Sequence, residues 1–176
     1  MEFHDIDKVS LRLYNIRVTS WFSTKVWGVV MIITFSGHSV ISSSNKVKEI
    51  VKEQIRNNIT DVGLVTCYLG GYGDFDKICA RACRELKEEY GDIELVYVTP
   101  YISLSQQVKI KEMQSCGLCD TSIYPPIENA PPRFAISKRN EWMMTNADLI
   151  IVYVKHNYGG AYTSLQFAKR RGKRII

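Results

Sequence analysis

A glycine pair, Gly159-Gly160, stands where a predicted strand passes into a predicted helix. Residues 149–154 form a continuous apolar run rich in β-branched side chains, which is typical of a strand buried on both faces. The helix that follows has an apolar stripe of Ala161, Leu165 and Ala168 and can end at Gly172. The N-terminus of a helix has free backbone N–H groups and about half a positive charge, so it attracts a phosphate or a carboxylate. The pair therefore predicts an anion site, with a tight turn that binds nothing as the equal alternative.

Two more loops that contain glycine follow short apolar runs, residues 31–35 and 64–69, which we predict to be strands. The first loop contains Gly37 and His38, and the second contains Gly70, Gly71, Gly73 and Asp74. His38 is as suited to contacting a phosphate or a base as it is to stabilising its own turn. Asp74 is a natural N-cap for the helix that follows.

A predicted helix over residues 133–147 adds an amide and a cation. Its predicted buried stripe consists of Ile136, Asn140, Met143 and Ala147. A polar amide on that stripe, Asn140, needs a hydrogen-bond partner, which is either a ligand or a backbone carbonyl. Arg139 lies beside it and can bind an anion through its planar guanidinium. Periodicity alone favours the alternative that Arg139 is an ordinary surface arginine.

Strands and helices alternate along the chain, which predicts an α/β protein with right-handed crossovers. Further helices are predicted over residues 44–58 and after Asp74, a third strand over 94–99, and a fifth strand starting at 174–176. Residues 101–132 have a weaker pattern, with a short helix over 103–113 and a proline-rich loop over 124–132. We predict a single Rossmann-like, doubly wound, mainly parallel five-stranded sheet with helices on both faces and the strand order 3-2-1-4-5.

This strand order brings the three glycine loops to one crevice at the carboxyl ends of neighbouring strands. The predicted ligand-binding residues are Gly37, His38, Gly70, Gly71, Gly73, Asp74, Arg139, Asn140, Gly159, Gly160, Ala161 and Thr163. Residues 71–76 match the dinucleotide fingerprint in its first two glycines only, because Asp76 stands at the position of the third. A nicotinamide or flavin site is therefore disfavoured, and no cofactor is predicted.

Composition places the chain among ordinary globular proteins. It has 176 residues, of which 45% are hydrophobic and 23% charged, enough for one domain with a sizeable core. The net charge of +5 arises partly from basic residues at 169–174. Cations at a helix C-terminus offset its dipole, so this cluster favours a solvated helix end over a nucleic-acid surface.

Cysteine usage and hydropathy predict a cytoplasmic protein with no membrane partner. The five cysteines are an odd number in a chain without a recognisable secretory signal, which indicates a reducing compartment. The apolar run over residues 26–35 is too short to span a bilayer. Cys116 and Cys119 form a lone CxxC, and because zinc needs two more ligands, no metal site is predicted.

Five segments together resemble the YpsA-like branch of the SLOG superfamily, which also contains the LOG and DprA/Smf proteins. They are ITFSGH (33–38), GGYGDFD (70–76), YPP (124–126), SKRN (137–140) and GGA (159–161). The resemblance covers residues 31–176 and implies a Rossmann-like domain that binds nucleotides or nucleotide-derived ligands, often as a homodimer. Residues 1–30 are then an N-terminal extension of uncertain order. The family motif has Cys and Arg where this chain has Ser36 and Ser39.

The LOG branch implies a more specific activity, cleavage of the N-glycosidic bond of nucleoside 5'-monophosphates. Its pattern has an Arg four residues before a Met, which Arg139 and Met143 match, and a phosphate loop that this chain keeps at Gly159, Gly160 and Thr163. Tyr162 replaces the third glycine of that loop. Gln166 stands in place of the catalytic glutamate, and an amide cannot act as an acid or base. Asp74 and Asp76 are the neighbouring carboxylates that could serve instead, or each is a helix cap.

The sequence therefore favours a module that binds or senses a nucleotide or nucleotide-derived small molecule. A phosphoribohydrolase of the LOG kind is the alternative. Single-stranded DNA binding, by analogy with DprA, is a distant third, because the basic residues at 169–174 are its only support.

Overall fold

The structure is a computed structural model that describes residues 29–60 and 62–176. The strands are β1 (Val29–Gly37), β2 (Val62–Leu69), β3 (Ile93–Val98), β4 (Thr121–Ile123) and β5 (Leu149–Tyr153). The helices are α1 (Ser44–Arg56), α2 (Gly73–Tyr90), α3 (Leu104–Ser115), α4 (Ala135–Asn146) and α5 (Gly159–Arg170), and a single 3-10 turn (Pro132–Phe134) precedes α4. The predicted extension over residues 1–30 lies outside the described residues except for its last two, which begin β1.

The five strands form one parallel sheet in the order β4-β3-β2-β1-β5. This confirms the predicted Rossmann-like α/β fold, and β3, β2, β1 and β5 have the predicted neighbours. The predicted strand at residues 174–176 is reduced to one bridge between Ile150 and Ile175. The fifth strand of the sheet is β4 instead, and with only three residues it is too short to show a periodic pattern.

Helices cover both faces of the sheet, so most strands are buried on both sides. One apolar core lies between the sheet and the helices α1 and α2, and the other lies between the sheet and α4 and α5. Alternate residues of β5 enter opposite cores: Leu149 and Ile151 face the first, and Ile150 faces the second. This explains why the sequence of the strand is continuously apolar rather than alternating.

Three of the five cysteines belong to the first core. Cys67, Cys79 and Cys83 are completely buried and unbonded. Burial raises the pKa of Cys79 and Cys83 well above the ordinary value. These thiols therefore stay protonated and serve as small apolar side chains.

An ion-pair network joins α1 to α2 at the edge of the first core. Lys48 and Lys52 both donate to the carboxylate of Glu85, with N–O distances of 2.5 and 2.8 Å. Arg56 pairs with Glu89 at 2.8 Å one turn further along. The hydrogen bond from Lys48, followed by that from Lys52, lowers the pKa of Glu85. The network fixes the two helices against each other above the sheet.

No helix in the described ranges is long and apolar enough to cross a membrane.

We predict that Glu85→Gln destabilises the protein by about 0.5–1 kcal/mol near neutral pH, because it removes the anion shared by two lysines on a half-exposed surface. A folded-state pKa below the ordinary 4.5 means that this stability is present above pH 4.5 and is lost as the pH falls through the lowered value. Urea unfolding of both proteins over that pH range tests this.

Glu88→Gln is the matched control, because Glu88 lies on the same helix and, among the described residues, pairs only with exposed Arg84 at 3.6 Å. Its effect should stay within about 0.5 kcal/mol. Equal losses in the two variants, or a Glu85→Gln loss that persists in acid, would contradict the role given to the network.

Candidate functional site

A cavity of about 340 Å³ lies at the carboxyl ends of β1, β2 and β5. The predicted residues that line it are Gly37, His38, Gly70, Arg139, Asn140, Gly159, Gly160 and Ala161. The predicted residues outside its lining are Gly71, Gly73, Asp74 and Thr163. The structure thus brings together one end of each of the three glycine loops and the helix that carries Arg139.

The N-terminus of α5 opens directly into the cavity. Its cap position, Tyr158, is extended and provides no side-chain hydrogen bond, and the first turn contains no acidic residue. Gly159 has a positive φ of +85°, and a Cβ built on Gly159 or Gly160 meets nothing within 4 Å. Thr163 donates to the Gly159 carbonyl at 3.1 Å and so stays within its own helix. This turn therefore leaves open space beside its two glycines, and the first N–H groups of a helix are the ones that bind anions.

Arg139 lies in the wall of the same cavity and is 1% exposed. The surface interpretation that periodicity favours is therefore wrong. Its Nη1 donates to the carbonyls of Gly70 at 2.7 Å and Val98 at 2.8 Å. Its Nε has no hydrogen-bond partner among the described residues. Burial lowers the pKa of Arg139 from 12.5, but a guanidinium stays charged in proteins.

The face of α4 that points inward differs from the predicted stripe by one residue in the first half of the helix, whereas Met143 and Ala147 are buried as predicted. Ala135, Arg139 and Met143 follow each other at four-residue spacing and are buried. Ile136 is instead 37% exposed, and Asn140 is half-buried at the cavity wall. Hydrophobic periodicity ranks arginine as polar, so it could not place this side chain inside.

Asp76 is a lining residue that is missing from the predicted set. Its Oδ2 accepts the backbone N–H of Tyr72 at 2.8 Å. Burial raises the pKa of Asp76, while that hydrogen bond and the charge of Arg139 act in the opposite direction. Its spacing of four residues from Tyr72, at the start of a helix, is the one sequence signal that could have indicated this contact.

Gly70 separates the Asp76 carboxylate from the Arg139 guanidinium. A Cβ at this position would lie 2.7 Å from Nη1 of Arg139 and 2.9 Å from Oδ2 of Asp76. Only glycine allows both charged groups to approach the backbone here.

Aromatic rings surround the buried cation. The Arg139 guanidinium lies 5.3 Å from the Tyr72 ring centroid. Nζ of Lys109 lies 4.8 Å from the centroid of the same ring. Tyr97 is fully buried nearby, and burial raises the pKa of its hydroxyl to about 12. The cluster has two cations and one carboxylate, so its net charge is positive.

His38 joins two loops at the rim. Its Nε2 accepts the backbone N–H of Lys155 at 2.7 Å and that of His156 at 3.3 Å. An accepting Nε2 assigns the proton of a neutral imidazole to Nδ1. The side chain therefore stabilises the turn after β5 and also contributes to the cavity wall.

The glycines at 37, 71 and 73 are required by packing. A Cβ on Gly37 would meet the Phe75 ring at 2.4 Å. Gly71 and Gly73 have positive φ, and added Cβ atoms would meet Tyr97 and the backbone of Ser39. These contacts hold the loops together whether or not a ligand binds.

Asp74 is not the N-cap of α2, which was the sequence prediction. The helix begins one residue earlier, at Gly73, and its cap position is Tyr72. The Asp74 carboxylate instead accepts a hydrogen bond from the backbone N–H of Ile41 at 3.3 Å. The backbone N–H of Asp74 donates to the Ser39 carbonyl at 2.9 Å. Asp74 therefore fixes the loop after β1.

Two surface features of the sequence lie away from the cavity. The basic residues that start at Lys169 are at the far end of α5, and a helix of this length is about 18 Å long. Cys119 is buried and Cys116 exposed, and no three His, Cys, Asp or Glu side chains cluster as metal ligands within residues 29–60 and 62–176.

No protein-family profile matches the chain, and no curated protein matches it. Among solved structures, the chain is similar to the molybdenum cofactor carrier protein MCP of Chlamydomonas reinhardtii, with 14% sequence identity and a TM-score of 0.49 over 82% of this chain and 73% of that one. A likeness at this level says nothing about the ligand of this chain. The parallel sheet itself establishes the Rossmann-like fold.

The two kinds of glycine in the cavity wall should respond differently to alanine. Gly70→Ala should destabilise the protein by about 1–3 kcal/mol, because the new methyl group overlaps Arg139 and Asp76. Gly160→Ala should be neutral or stabilise by up to about 1 kcal/mol, because it adds a better helix former in open space. Denaturant midpoints of the two variants measure this, and a stable Gly70→Ala protein would contradict the packing described.

Proposed function

We propose that this protein binds a nucleotide or nucleotide-derived small molecule in the cavity, with a phosphate at the N-terminus of α5. The observation that carries the proposal is that this uncapped helix end and a buried arginine line the same cavity. Both groups attract anions, and neither depends on a mobile surface side chain.

The electrostatic balance of the cavity supports an anionic ligand. Arg139 is charged, and its Nε lacks a partner among the described residues. Asp76 is the one carboxylate in the cavity lining and compensates part of that charge, and the uncapped N-terminus of α5 adds partial positive charge. A bound phosphate would neutralise this excess in a site of low dielectric, where charge-assisted hydrogen bonds are strong.

The remaining walls suit the other parts of such a ligand. The volume of about 340 Å³ falls within the range of small-molecule sites, which extends from about 300 to 1,000 Å³. Asn140 and Ser36 provide polar groups, and the Tyr72 and Tyr158 rings provide flat surfaces for a base. Because the Gly70 carbonyl is already bonded to Arg139, we assign the ribose and base contacts to these side chains rather than to the glycine backbone of the loop at 70–74.

The four common ribonucleoside 5'-monophosphates, adenosine and inorganic phosphate form the test panel for thermal shift. At 100 times its Kd, a bound nucleotide adds about 2.7 kcal/mol, which raises the Tm of a protein of this size by about 5–10 °C. We expect at least one monophosphate to do so and adenosine to fail.

Gly160→Asp tests the placement of the phosphate. A carboxylate at the second residue of a helix stabilises the helix by about 0.3–1 kcal/mol, but here it occupies the space given to the phosphate. We expect affinity to fall at least about tenfold, which corresponds to about 1.4 kcal/mol. Ser105→Asp is the matched control, since it adds the same charge at the second residue of α3, outside the cavity lining.

Failure of every nucleotide to stabilise the wild type would overturn the proposal. Equal binding by Gly160→Asp and Ser105→Asp would keep binding but contradict the role of α5.

A phosphoribohydrolase is the second candidate, and Asp76 is the observation that favours it. A carboxyl group in a cavity, with a pKa raised by burial, has the properties of a general acid or base. Gln166 does not line the cavity. The Asp76 carboxylate is already held by the Tyr72 N–H, so we expect binding without hydrolysis.

Incubation with each monophosphate, followed by chromatography for the free base, separates the two functions. We expect no release above the uncatalysed rate. Release that disappears in Asp76→Asn, with folding retained, would establish the hydrolase instead. The homodimer implied by the family resemblance is a further prediction, and sedimentation measures it in the same samples.

A further inference from the structure

A second cavity, of about 250 Å³, lies between α2 and α3 behind the Gly71 backbone. We name it the α2–α3 cavity. Its apolar walls are formed by Leu69, Ala80, Met113 and Leu118. Leu69 and Ala80 are buried in the sheet and in α2, while Met113 and Leu118 are half-buried on the α3 side. An apolar hollow between two helices is a common place for a ligand to bind.

Three cations surround this apolar hollow: Lys77, Arg81 and Lys109. Arg81 is exposed and forms no ion pair with any residue in the described ranges. Lys77 has only a loose contact with Asp74, at 3.7 Å. Nζ of Lys109 lies 4.8 Å from the Tyr72 ring centroid and 5.5 Å from that of Tyr97. It donates to the Gly71 carbonyl at 3.4 Å.

Little negative charge compensates these cations. Asp76 is the one acidic side chain in the cavity lining, and it already accepts a backbone N–H on the side of the main cavity. Arg139 and Lys77 repel the ammonium of Lys109, while Asp76 attracts it. With three cations against Asp76 and the loosely paired Asp74, the hollow combines apolar walls with a rim of net positive charge.

We propose that the α2–α3 cavity binds a small amphipathic carboxylate, with its hydrocarbon chain between α2 and α3 and its carboxylate among Arg81, Lys77 and Lys109. Charge complementarity selects this class over a neutral apolar molecule, which would leave the rim uncompensated. The apolar walls select it over a small inorganic anion, which would leave Leu69 and Met113 uncovered. The α2–α3 cavity is separate from the nucleotide site. Asp76 lines both cavities, and Gly71 lines only this one.

Octanoate, titrated into the full chain by calorimetry, is the probe, with 1-octanol and acetate as controls. Octanoate should bind in one-to-one ratio, and each control should bind at least about tenfold more weakly, because it lacks either the charge or the chain.

Two variants locate the site. Met113→Trp fills the hollow from α3 and should weaken octanoate binding by about tenfold or more. Arg81→Gln removes an exposed charge without affecting the core and should weaken binding about threefold, whereas Arg81→Lys should retain most of it. Because Met113 is half-buried, urea unfolding verifies that its variant folds, and the Arg81 pair gives an answer even if it does not.

Gly160→Asp separates this proposal from the proposed function. It should weaken nucleotide binding and leave octanoate binding unchanged. If octanoate binding is lost in Gly160→Asp but kept in Met113→Trp, octanoate binds in the main cavity and the proposal is overturned. No binding of octanoate, or equal binding of 1-octanol, would also overturn it.

Discussion

The buried guanidinium of Arg139 is the interaction on which the rest of the site depends. Burying a cation is costly unless it is hydrogen-bonded and compensated. The carbonyls of Gly70 and Val98 provide the hydrogen bonds and Asp76 the opposite charge. One side chain thus ties α4 to the ends of β2 and β3 and to the first turn of α2. The same requirement explains why residue 70 has no side chain.

This arrangement leaves the cavity with fixed positive groups on two sides. Hydrogen bonds to two backbone carbonyls fix the position of the guanidinium. The N–H groups at the start of α5 are fixed because they belong to a helix. A site built from such groups needs little reorganisation when an anion enters. The contacts that fix the guanidinium also place its charge in the cavity wall, so fold stability and ligand preference are coupled in Arg139.

The alternation of apolar runs and helical stripes was sufficient to predict the parallel sheet, the order of its four longer strands and the position of the cavity. It could not predict β4, whose three residues show no period. It also shifted the inner face of α4 by one residue, because a pattern of apolar side chains assigns arginine to the surface. Arg139 is inside only because Gly70 and Val98, distant in sequence, present carbonyls to it. Asp76 lies outside the predicted binding set because its proximity to Arg139 depends on the fold, although its hydrogen bond with the Tyr72 N–H is local.

The glycines of the three loops show why the site is harder to predict than the fold. In the sequence they look alike, and the family resemblance treats them together as ligand contacts. In the structure, Gly37, Gly70 and Gly71 are surrounded by Phe75, Arg139 and Tyr97, so protein packing alone explains them. A Cβ built on Gly160 would meet nothing within 4 Å, and this glycine lies in α5 without a positive φ, so packing does not explain it. A glycine that the protein itself does not need is the better indicator of a ligand, and this one lines the same cavity as the buried arginine.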